Sequence, residues 1–91
     1  MILMRKAYTT SRFDRRLVVF LKSHPDLSEH VKVTLDRIIS NPFDQGLRTH
    51  MLSGALKECF ASNIAHKYRI IFLLNNEEIR FVDIGSHDEV Y

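Results

Sequence analysis

One cysteine, three glycines, two prolines and no tryptophan stand among 91 residues. Each scarcity removes a class of protein. A lone Cys59 cannot close an internal disulfide, so this is not a disulfide-stapled scaffold, and a reducing, cytoplasmic setting is expected. Glycine and proline this sparse exclude collagen-like and low-complexity chains. No run of eighteen apolar residues occurs, so no membrane span and no membrane partner are expected. The opening residues, with Arg5 and Lys6 among apolar neighbours, lack the apolar core of a signal peptide and read as structure. Charge of one sign is also in short supply: 13 Lys and Arg against 11 Asp and Glu leave +2. That balance permits a nucleic-acid partner without pointing to one.

What remains is ordinary globular material, 45% hydrophobic, enough for one modest core. The chain is therefore expected to be a single domain over residues 1–91, with no repeat and no linker. Residues 2–8 read as a short strand. Thr9, Thr10 and Ser11 are helix-start residues, and Phe13, Leu17, Phe20 and Leu21 then recur at helical spacing until Pro25. A second stripe runs through Leu27, Val31, Leu35, Ile38 and Ile39 until Asn41-Pro42 stops it. The short connection makes the two helices an antiparallel hairpin. Residues 43–54 read mostly as loop. Three strands follow in meander order, at residues 56–61, 68–74 and 79–84, with a short tail at the sheet's edge. The middle strand is apolar on both faces except at Arg69, which predicts a central position. The sum is an α+β fold of two layers, an N-terminal strand and helix hairpin on an antiparallel sheet.

Three segments carry candidate chemistry. The loop holds His50; residues 63–69 hold Asn63, His66, Lys67 and Arg69; the tail holds His87 and Tyr91. Histidine transfers protons near neutral pH. Arginine clamps a phosphate through two parallel hydrogen bonds. A tyrosine ring stacks on a base while its hydroxyl handles a proton. Each residue also has a plainer reading. His50 fits a surface loop, Arg69 fits an ion pair with Glu77, Glu78 or Asp83, and Tyr91 fits a fraying terminus. The five histidines show no zinc-type spacing, so neither metal nor cofactor is expected. Cys59, in a patterned apolar segment, reads as a packing residue.

The same residues carry a resemblance. The helix pair, then His50, Leu52, Gly54 and Leu56 at alternate positions, then Tyr68-Arg69-Ile70-Ile71-Phe72, then Ile84-Gly85-Ser86-His87-Asp88-Glu89-Val90-Tyr91 resemble the RelE/ParE superfamily of type II toxins. Within it the likeness is to the RelE/StbE and YafQ-like mRNA interferases, and it covers essentially the whole chain. The resemblance implies a microbial-RNase-like fold and metal-independent cleavage of mRNA in the ribosomal A site. It also implies inhibition by a cognate antitoxin, with a toxin–antitoxin hetero-oligomer as the resting form. By position, Arg69 is similar to the phosphate-stabilising arginine of such toxins, Tyr91 to their C-terminal aromatic, and His50 and His87 to acid–base histidines. Two positions depart. The YafQ-like branch has a histidine where this chain has Asn63 and an aspartate where it has Lys67, and both enter as substrate-binding candidates. His50 and His66 are the candidate bases, His87 the candidate acid. Two other readings share the fold: a ParE-like gyrase inhibitor with no nuclease activity, and an inactive antitoxin-binding relative.

Overall fold

A computed structural model describes residues 5–54 and 58–90. The order is β1 (Lys6–Thr9), α1 (Ser11–Ser23), α2 (Ser28–Ser40), β2 (His50–Met51), β3 (Cys59–Asn63), β4 (Tyr68–Leu74), β5 (Glu78–Ser86) and α3 (His87–Val90). The strands form one sheet in the order β1-β5-β4-β3-β2. The first strand pairs parallel with the last, Lys6 against Glu78 through Thr9 against Phe81. Every other pairing is antiparallel. The expected two-layer α+β architecture is present, and the helices cover one face.

Local chemistry sets the helix ends. The Thr10 hydroxyl accepts the Phe13 amide at 3.1 Å, an N-cap worth about 1 kcal/mol. A short 3-10 turn at Pro25–Leu27 separates the two helices, and Asn41 ends α2 ahead of Pro42. Phe13 and Phe20 from α1 and Val31 and Ile38 from α2 pack on Ile70, Phe72, Ile79, Phe81 and Ile84 of the sheet. Phe72 and Phe81 form a ring pair with centroids 6.3 Å apart, and Phe13 lies 5.4 Å from Phe81.

Five boundaries differ from the sequence reading, among them the last strand, which runs Glu78–Ser86 rather than 79–84. The first strand is Lys6–Thr9 rather than 2–8, and residues 2–4 lie outside those described. The strand expected at 56–61 runs Cys59–Asn63, so Asn63 closes it; residues 56 and 57 lie outside those described. The presumed loop contains a 3-10 turn at Gln45–Leu47 and the two-residue strand β2, so His50 sits on the sheet's edge. The tail is not a loose end as far as it is described. It turns into α3, and Val90 packs with Cys59, Ala61 and Ile71 on the face away from the helices. Val90, the fourth residue of this turn, supplies the apolar contact in that docking.

Candidate active site

By register, the face of the sheet opposite α1 and α2 takes three of the predicted residues, His50, Asn63 and Arg69. Cross-strand partners share a face, so the register reads as rows. One row runs His50, Ala61, Ile71, Asp83; the next, two residues along, runs Asn63, Arg69, Gly85. Strand spacing of about 4.8 Å and a two-residue step of about 6.8 Å put the His50 and Arg69 backbones roughly 12 Å apart, within reach of both side chains for one nucleotide. His50 and Arg69 are thus brought together. Asn63 stands opposite Arg69 and also borders a groove of about 290 Å³ with Glu29, His30 and Arg37 of α2.

His50 is exposed, and its Nδ1 lies 3.1 Å from the Arg48 carbonyl. A carbonyl can only accept, so this contact fixes the proton on Nδ1 and makes Nε2 the basic nitrogen of the neutral ring. Arg48 holds that carbonyl from a left-handed conformation, φ 50°. Arg69 is half-buried, and its Nη1 donates to the carbonyls of His66 at 3.3 Å and Tyr68 at 3.4 Å. Its Nε is buried with no acceptor among the described residues.

His66 and Lys67 form the β3–β4 turn, closed by the Tyr68 amide on the Ala65 carbonyl. His66 takes φ 50°, a left-handed conformation that histidine tolerates better than most residues. Both side chains are exposed, and the Lys67 ammonium sits 5.8 Å from the Tyr68 ring centroid. The other end of the tail is tied to this turn, because the His87 amide donates to the Lys67 carbonyl at 3.2 Å. His87 itself is exposed, with Nδ1 3.7 Å from the Asp88 carboxylate. Tyr91 lies outside the described residues. Among the described residues, no three His, Cys, Asp or Glu side chains converge to hold a metal ion.

Sequence reasoning missed an ionic cluster at the same end. Asp83 is buried and does not pair with Arg69. It accepts Arg12 through Oδ2 at 3.1 and 3.2 Å and Arg16 Nε through Oδ1 at 3.0 Å. Arg16 Nη2 lies 3.8 Å from Glu89 Oε2. Glu89 Oε1 accepts the Ser86 amide at 2.9 Å, and this bond, reinforced by Arg16, holds the Glu89 carboxyl below its ordinary range. The only signal in the sequence was five basic residues crowded into the first sixteen. Cys59 is buried as expected, and that burial, with the Glu58 charge beside it, pushes its thiol pKa up.

Comparisons with known proteins bear on the family and the fold. The family model described as "Bacterial toxin of type II toxin-antitoxin system, YafQ" matches residues 5–91. No curated protein sequence matches the chain. Among solved structures, YafQ from E. coli strain BL21(DE3) superposes with a TM-score of 0.85 at 19% identity, covering 96% of this chain and 98% of that one. The E. coli DinJ-YafQ toxin-antitoxin complex gives 0.84 at 19% identity, covering 98% and 99%. A YoeB/ParE toxin from Agrobacterium tumefaciens gives 0.75 at 12% identity, covering 90% and 98%. At such identities these structures speak for the fold, while the family model spans nearly the whole sequence. The chain belongs to the YafQ family of bacterial type II toxin–antitoxin toxins.

Proposed function

We propose that this toxin is an RNA endonuclease that cleaves mRNA presented in the ribosomal A site. The observation that carries the reading is the row arrangement: His50 and Arg69 share one sheet face, and His87 is tethered to the turn that precedes Arg69. The ribose 2′-OH attacks the adjacent phosphorus. A base takes the 2′ proton, an acid protonates the departing 5′ oxygen, and a cation meets the charge that builds on the phosphoryl oxygens. The nucleophile belongs to the substrate, so the chemistry asks for no metal-bound water.

His50, with Nε2 as its basic nitrogen, fits the base, and His66 is the second candidate. His87 takes the acid role and Arg69 the clamp. Tyr91 is assigned to stack on a base or relay a proton, and Asn63 and Lys67 to hold the RNA backbone. The partner in the resting state is a cognate antitoxin. Val18 and Val19 on α1 and Val33 on α2 are exposed aliphatic side chains suited to a wrapping segment. The site of action is the cytoplasm.

The test is a toeprint on purified ribosomes programmed with a defined message. Cleavage within the A-site codon is expected, lost in His87→Ala and in the antitoxin-bound toxin. A toxin that leaves the message intact while raising DNA breaks in cells is instead a gyrase inhibitor, and the nuclease reading fails.

A further inference from the structure

Arg16 touches both β5 and the C-terminal turn α3. Its Nε is fixed by the buried Asp83, whose Oδ1 also accepts the Ile84 amide at 2.8 Å. Its Nη2 then lies over Gly85: a Cβ built there would stand 2.9 Å away, and only 3.3 Å from Glu89 Cβ and Val90 Cγ1. Gly85 does not need its backbone freedom here. It leaves the room in which the guanidinium and α3 meet. Glu89 closes the contact from α3, 3.8 Å from Nη2, while its other oxygen holds the Ser86 amide. Nη2 is solvent-inaccessible and makes no hydrogen bond, so it cannot reach RNA and meets Glu89 as an ion pair only. Whatever it does for the site, it does through α3.

We propose that Arg16 is a positioning residue: bridging Asp83 and Glu89 across Gly85, it locks α3 on the sheet and sets the placement of His87 at the Lys67 turn. The assignment rests on the nuclease reading of the site. It also gives the tail sequence a physical reason, since Gly85 and Glu89 are the two residues that receive the guanidinium.

Arg12 supplies the control. It holds the same Asp83 carboxylate but has no contact with α3 among the described residues. Arg16→Gln and Arg12→Gln each take one partner from Asp83, and only the first releases α3. In Arg16→Gln, kcat on ribosome-bound message should fall roughly 10- to 100-fold, as for a catalytic group displaced by about 1 Å, with KM within about twofold. The His87 amide should exchange roughly tenfold faster while the Ile70 and Ile84 amides keep their protection. Gly85→Ala, which pushes the guanidinium aside without removing it, should reproduce both changes. Arg12→Gln should stay within about twofold of the parent in kcat. Equal losses in the two arginine variants, or an unchanged His87 amide in Arg16→Gln, would overturn the proposal. If the parent protein cuts no message, the nuclease reading falls, and the amide exchange still decides whether Arg16 locks α3.

Discussion

Arg69 commits Nη1 to the carbonyls of its own hairpin, and this anchors the guanidinium plane before any RNA arrives. With Nη1 on those carbonyls and Nε buried, Nη2 is the nitrogen left to meet a phosphoryl oxygen, from a plane that a flexible ammonium does not have. Arg69→Lys is therefore expected to lose roughly 100- to 1,000-fold in single-turnover cleavage, the scale of a deleted transition-state donor. A lysine variant within a few fold of the parent would mean that charge alone is needed. Cys59 gives a second check at this scale. Its thiol is buried and its pKa raised, so the thiolate is scarce. Iodoacetamide should leave the folded protein unmodified and alkylate it fully in denaturant; rapid labelling of the native state would contradict the packing. Cys59 was readable from its apolar neighbours. The partners of Asp83 were not. Arg12 and Arg16 lie 71 and 67 residues away, and nothing in local spacing announces a contact made by the closing of the sheet.

Elements were legible where they were long enough to show a period. α1, α2 and β4 follow their stripes, and β4 runs over the expected residues, Tyr68–Leu74, third of five strands. Two residues cannot display alternation, so β2 read as loop, and one helical turn cannot display a face, so α3 read as tail. The candidate site depends on both of these short elements, which is why its residues could be named from the sequence while their arrangement could not. α3 also has a pH dependence of definite sign. The Glu89 carboxyl is held below its ordinary range by the Ser86 amide and Arg16. Its help in docking α3 is complete above the usual glutamate pKa of about 4.3 and is lost as pH falls through the lowered value. Protection of the His87 amide should weaken in that acidic window before the sheet amides do, and Glu89→Gln should remove the pH step. Protection that is flat across the window in the parent protein would show that Val90 packing alone holds the turn.

For the whole molecule, what matters is where the cations go. Many are already answered by carboxylates: Arg12 and Arg16 by Asp83, Lys32 by Asp36, Arg80 by Glu78. Around the candidate site, Arg48, Lys67 and Arg69 make no ion pair among the described residues, and the chain as a whole carries only +2. Three phosphate contacts to a single strand predict a slope of log K against log salt near −2, since each contributes about −0.7. Free toxin should then bind labelled single-stranded RNA weakly, with that shallow slope in fluorescence anisotropy. A protein that seeks out RNA alone needs more charge than this. On the proposed reading that need disappears, because a ribosome that holds the message leaves the toxin to add only His50, Arg69 and His87 at one phosphate. A measured slope steeper than about −5 would require several further phosphate contacts. It would place an extended RNA-binding surface on this fold, and the dependence on a ribosome would lose its physical basis.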